Sequence, residues 1–196
     1  MSPTLSADLE AEIAAIRANP IEAVGFGEKA YLSYEPNAPA LIRGDAAAVT
    51  ARLLAEARGA GDRTYRLAVL HVLGKRLDAT VDAALVALLD DATTRATAAY
   101  LLGRPGFKGY PPRPRDLPTV RAALRRQLDD TTEFVDPFHR RAFRTQDFVL
   151  GAYLRIVGPE RFKITNPDLA DLVGLSLPAF TDAERTDLLA QAHTDR

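Results

Sequence analysis

The chain has 196 residues, 47% hydrophobic and 26% charged, a composition that suits one folded domain and excludes a wholly disordered chain. Its 25 Lys+Arg and 26 Asp+Glu leave a formal net charge of −1, so no global field draws it to nucleic acid or an anionic membrane. The absence of cysteine excludes disulfides, thiolate metal sites and cysteine nucleophiles.

Alanine and leucine supply 34 and 26 residues. These are the strongest apolar helix formers, and β-branched residues are sparse in the long segments, so an all-α fold over residues 1–196 is expected. From Ser6, the spacing of Leu9, Ile13 and Ile16 predicts a first helix that stops before Pro20. Residues 21–44, with Gly25, Gly27, Pro36 and Pro39 among Phe26, Tyr31 and Tyr34, read as an irregular connection with one helical turn. Val49, Leu53, Leu54 and Ala57 mark a helix from Asp45 to Gly59, and Leu67, Leu70, Leu73 and Leu77 mark its partner from Asp62. Thr80 to Leu89 and Asp91 to Gly103 repeat the arrangement, and their short links force antiparallel neighbours. Residues 104–116 are proline-rich and read as an extended loop insertion. Asp116 then caps a helix through Val120, Leu124 and Leu128, and Asp136-Pro137 opens a longer one to about Val157. Asn166-Pro167 and Thr181 each start one more, which makes about nine helices and no strand.

One internal repeat stands out. Asp62-x-x-x-Arg66 with Leu73-Gly74-Lys75 recurs, 29 residues on, as Asp91-x-x-x-Arg95 with Leu102-Gly103-Arg104. The Asp suits an N-cap, and the Arg one turn later is placed to bond carbonyls or the next Asp across the unit boundary. The Gly after Leu suits a left-handed residue that stops a helix. These residues resemble HEAT-like repeats, most clearly over positions 45–129, with Val120-Arg121-Ala122-Ala123-Leu124 a weaker third echo. The resemblance implies a short HEAT-like α-solenoid of stacked antiparallel helix pairs, a binding architecture more often than a catalytic one. The alternative is a compact irregular helical bundle.

Catalytic patterns are missing from the sequence. His71, His139 and His193 stand apart at spacings that build no metal site, and there is no His-Glu dipeptide of the kind iron-binding HEAT-like enzymes use. Gly25-Phe-Gly27 and Gly106-Phe-Lys-Gly109 lack the ending of a phosphate loop, and none of the four serines sits in a nucleophile elbow. The pairs Asp90-Asp91 and Asp129-Asp130 read as caps. No enzyme activity, metal or cofactor is therefore expected. The residues from Met1 to Arg17 lack the pattern of a secretory leader, and no apolar run reaches membrane-spanning length. A cytoplasmic protein without membrane contact is the expectation.

Charge is distributed unevenly. Residues 104–144 carry ten Lys and Arg against five acids, while both ends of the chain are acidic. Lys108, Tyr110, Arg113, Arg115, Arg121, Arg125, Arg140 and Arg144 are the candidate partner-binding residues, with Arg121 and Arg125 sharing one helix face and Arg140 and Arg144 another. The competing reading is a solvated face paired internally with Asp129, Asp130 and Glu133. A protein partner with an acidic surface is the expectation, which suits an inhibitor, an immunity protein or a scaffold. The alternative is a nucleic-acid-binding protein like the HEAT-like glycosylases that excise alkylated bases, although their groove tryptophans have no counterpart in a chain without Trp.

Overall fold

In the computed structural model, residues 7–23, 38–44, 46–76, 80–103, 117–138, 140–166 and 180–195 are described. The fold is all-α apart from one small hairpin. Its elements are α1 (Ala7–Ala18), α2 (Pro20–Ala23), α3 (Pro39–Arg43), α4 (Ala46–Arg58), α5 (Arg63–Lys75), α6 (Thr80–Leu88), α7 (Arg95–Gly103), α8 (Leu117–Arg125), β1 (Glu133–Asp136), β2 (Arg141–Arg144), α9 (Thr145–Val157), a 3-10 turn (Pro159–Arg161) and α10 (Asp182–Thr194). No helix among the described residues is long and apolar enough to cross a membrane.

Helices α4 to α9 pack as two rows. Helices α4, α6 and α8 form one row and α5, α7 and α9 the other, with α4 on α5, α6 on α7 and α8 on α9. The expected leucine faces meet between the rows: Leu53, Leu67, Leu70, Leu73, Leu85 and Leu88 are fully buried. Each such side chain contributes roughly 1.5–3 kcal/mol relative to exposure. At one end α1, α2 and α3 pack on α5, and at the other α10 packs on α9.

The short helix α3 is held by charges at both ends. Its N-cap, Ala38, offers no side-chain acceptor, so Glu12 of α1 reaches across and accepts from the Ala40 and Leu41 amides at 2.9 and 2.8 Å. At the opposite end the buried Arg76 donates to the carbonyls of Leu41 and Gly44 and to Thr50 Oγ1. An anion at the N-terminus and a cation at the C-terminus both match the helix dipole.

The arginines of the repeat bridge successive units. Arg66 Nε donates to the Ala57 carbonyl at the end of α4, and its Nη2 pairs with Asp91. Arg95 does the same one unit later, from Nε to the Leu89 carbonyl and from Nη1 to Asp130. Asp91 and Asp130 in turn accept from the Thr93 and Thr132 amides at 2.8 and 3.0 Å. Asp130 is thus to Arg95 what Asp91 is to Arg66. The recurrence was visible as Leu89-Asp90-Asp91 against Leu128-Asp129-Asp130.

Three sequence expectations need correction. The helix expected from Asp136 begins only at Thr145, because Glu133–Asp136 and Arg141–Arg144 pair as antiparallel strands with Phe134 opposite Phe143. Asp136-Pro137 opens a turn rather than a helix: Asp136 Oδ1 accepts from the Phe138 amide at 2.7 Å, and Arg140 takes a positive φ of 52°. Four-residue strands are too short to show alternation in sequence. In consequence Arg140 and Arg144 do not share a helix face. Finally, Gly74 and Gly103 are not left-handed stops, since Gly158 is the described glycine with positive φ. They serve close helix packing: a Cβ on Gly103 would sit 2.5 Å from Ala152 Cα, and one on Gly74 would sit 2.6 Å from the Leu101 side chain. The helix expected after Asn166-Pro167 and the 104–116 loop lie outside the described residues, apart from Asn166.

Gly103→Ala is expected to destabilise by about 1–3 kcal/mol, because backbone must move, and Gly74→Ala by less, because the Leu101 side chain can turn aside; urea denaturation of both checks the order. Burial pushes the Asp91 carboxyl up, but hydrogen bonds from Thr93 and Arg66 outweigh it and hold its pKa below the ordinary aspartate value. Asp130 is lowered in the same way, burial being outweighed by Thr132 and Arg95. A depressed folded-state pKa adds stability that is complete above the unfolded value and is lost as pH falls through the folded one. An Asp91→Asn/Asp130→Asn variant should therefore be less stable at neutral pH and lose less stability between about pH 5 and pH 2, as followed by thermal melts.

Candidate functional site: an arginine cluster around Asp195

The site forms where α8, the end of α9 and the end of α10 meet. Val120, Ala123 and Leu124 bury one side of α8, which leaves Arg121 and Arg125, four residues apart, together on another side. Arg121 Nη2 donates to Asp195 Oδ2 at 2.8 Å. Arg125 donates to the Asp195 carbonyl at 2.7 Å and to the His193 carbonyl, the last exposed acceptors of α10. The third cation comes from beyond α9. Gly158, at φ 106°, lets the chain turn sharply where a Cβ would meet the Glu160 carboxylate at 2.2 Å. The 3-10 turn that follows brings Arg161 Nη2 to Asp195 Oδ1 at 2.6 Å. Tyr153 Oη completes the set, donating to Asp195 Oδ2 at 3.1 Å.

This places an acid where a helix disfavours one. Asp195 is the C-cap of α10, and a carboxylate there faces the negative end of the dipole. Its position is compensated by Arg121 and Arg161 on separate oxygens. Hydrogen bonding to the Tyr153 phenol, together with the Asp195 charge, raises the pKa of the Arg121 guanidinium above its ordinary value against partial desolvation. Among the described residues, two guanidinium groups thus hold the Asp195 carboxylate and a third holds its main-chain carbonyl.

Beside the cluster runs a groove of about 420 Å³. Leu117, Pro118, Ile156 and Val157 form its aliphatic walls, and the arginines edge it. Leu117 is 47% exposed. The arrangement supplies fixed positive charge, planar donor forks and apolar surface, which together hold an anion attached to an aliphatic body.

The far end of α10 sets the register that delivers Asp195. Thr181 and Glu184 form a capping box. Arg185 clasps Asp147 of α9 with two bonds, Nε to Oδ1 at 2.5 Å and Nη2 to Oδ2 at 3.2 Å, both side chains being largely buried. Arg144, the N-cap of α9, donates to Asp182 at 2.9 Å and Glu133 at 3.4 Å.

Of the eight residues singled out from sequence, the structure brings together Arg121 and Arg125. Arg144 bonds the first turn of α10, a helix length away from them, and Arg140 is exposed in the hairpin turn. Lys108, Tyr110, Arg113 and Arg115 lie outside the described residues. Internal pairing accounts for part of the basic segment, but its partners for Arg121 and Arg125 lie around Asp195 rather than Asp129 or Asp130. Sequence reasoning missed Arg161, Tyr153 and Asp195. The available signal was the acid at a helix C-terminus, which requires cations from elsewhere, and the Gly158-Pro159 turn that could supply one.

Among the described residues, His71 and His193 build no shared site. His71 is buried and meets the Phe138 ring edge-on at 5.2 Å, and His193 faces Asp129 at 3.1 Å; His139 lies outside the described residues. Among the described residues no group of His and acidic side chains could hold a metal ion. Comparison with protein-family models, with curated proteins and with solved structures found no match to this chain.

Asp147→Ala is expected to leave the buried Arg185 with only Asp182 and the Phe180 carbonyl as partners and to cost about 1.5–3 kcal/mol. It should also loosen α10, so hydrogen exchange should accelerate along the whole of residues 182–194, a pattern that loss of one surface contact would not give.

Proposed function

We propose that the chain is a non-enzymatic protein-interaction module of HEAT-like architecture, an inhibitor, immunity protein or scaffold, which takes an acidic segment of a partner protein in the groove edged by Arg121, Arg125 and Arg161. The observation that carries this reading is the pair of guanidinium groups on the Asp195 carboxylate, with a third on its main-chain carbonyl, beside aliphatic walls. Arginine forks match planar carboxylates in two-point geometry, and an adjoining apolar wall adds the desolvated area that turns charge pairing into affinity. The two-row packing, the 29-residue recurrence and the Arg66–Asp91 and Arg95–Asp130 pairs support the HEAT-like part of the reading.

A protein ligand fits better than a nucleic acid. Phosphate tracking needs cations strung along a basic path with aromatic platforms between them, whereas these arginines cluster at one point among aliphatic side chains on a chain of net charge −1. Arg126 and Arg140, both exposed, add positive charge to the same basic segment.

A fluorescein-labelled peptide rich in Glu and Leu is the probe, with a Lys-for-Glu version and a short DNA duplex as controls. The acidic peptide is expected to bind in about the micromolar range and to weaken with added salt. Arg121→Glu/Arg161→Glu should weaken it about tenfold or more. Unchanged binding by the double variant overturns the groove as the site, and retardation of the duplex at low salt without peptide binding overturns the protein-partner reading.

A further inference from the structure

We infer that Asp195 is a built-in occupant of this groove edge: its carboxylate fills, in the free protein, the place that an Asp or Glu side chain of the partner takes on binding, and the incoming acid must displace it. The inference rests on the function proposed above and adds both the recognition chemistry and its control.

The geometry separates the carboxylate from the helix that carries it. Asp195 side-chain oxygens bond Arg121, Arg161 and Tyr153, whereas the end of α10 is held through carbonyls by Arg125. The start of α10 is anchored independently through Arg185 and Asp147. Swinging the Asp195 side chain out therefore breaks its own three contacts while the helix keeps these attachments. Helix ends open locally at far lower cost than the fold unfolds.

Access points the same way. The Asp195 side chain is 10% exposed, but Arg121 and Arg161 are 28% and 42% exposed, so the guanidinium groups extend past their internal partner toward solvent. Arg121 and Arg161 also line the groove with Leu117 and Val157, and Asp195 does not. A partner acid entering from the groove meets the same donors from the outside and gains the aliphatic wall that Asp195 does not use. An internal occupant lowers apparent affinity by the fraction of molecules in which the site is open.

The test compares wild type, Asp195→Asn and Arg121→Glu/Arg161→Glu with the fluorescein-labelled Glu/Leu peptide. Asp195→Asn keeps the side-chain shape, removes its charge, and is expected to bind about tenfold tighter than wild type. Equal affinity of Asp195→Asn and wild type, with weaker binding by the arginine variant, overturns the inference and leaves the groove reading standing. Absence of peptide binding by both wild type and Asp195→Asn overturns the inference and the groove reading together. Should Asp195→Asn melt well below wild type, the wild-type protein decides the matter. A shift of the Asp195 side-chain carboxyl 13C resonance at saturating peptide supports displacement, and an unchanged resonance overturns it.

Discussion

The arrangement depends on a guanidinium group that is bonded on two sides at once. Arg66 and Arg95 each cap the end of the preceding first-row helix with Nε and reach the acid of the following unit with a terminal nitrogen. A lysine could make one of these bonds but not both, because its donors radiate from a single atom. The fork ties three segments with one side chain, and the Asp it reaches is itself fixed by a threonine amide two residues on. Hydrophobic packing between rows tolerates sliding along a helix; this polar pair does not, so it sets where each unit sits against the next.

Sequence carried the repeated part of the fold well. Leu67, Leu70 and Leu73 recur at helical spacing, and all three are buried where the periodicity placed them. Asp62 and Thr181 cap their helices through backbone amides, as their positions before apolar periodicity imply. The hairpin was hidden because Asp-Pro serves turns and helix starts equally, and only tertiary contact decides. Phe134, Phe143 and Phe148 pack with centroids 5.3–6.0 Å apart, Phe148 meeting both others edge to face, which rewards the hairpin against the helix.

The arginine cluster was half readable. Arg121 and Arg125 follow from the i, i+4 rule on one helix. Arg161 and Asp195 are brought to them by a left-handed glycine and by the docking of α10, and neither is a local property of the chain. The structure also divides a basic segment that sequence treated as one surface. Arg144 binds the start of α10, and Arg121 and Arg125 bind its end. A contiguous run of positive charge can thus serve two separate attachments of one helix.

The spacing between the second-row helices is uneven. At Gly74 the neighbour is the tip of a leucine, while at Gly103 it is the main chain of α9. Helices α7 and α9 therefore approach more closely than side-chain contact alone would allow, at the unit interrupted by the hairpin. The consequence concerns modularity: the units are related in plan but are not exchangeable bricks. Moving the middle pair to a new position, or lengthening the array by copying it, would set a glycine notch against a neighbour without the matching alanine, and the chain is in this sense an assembly of fitted parts.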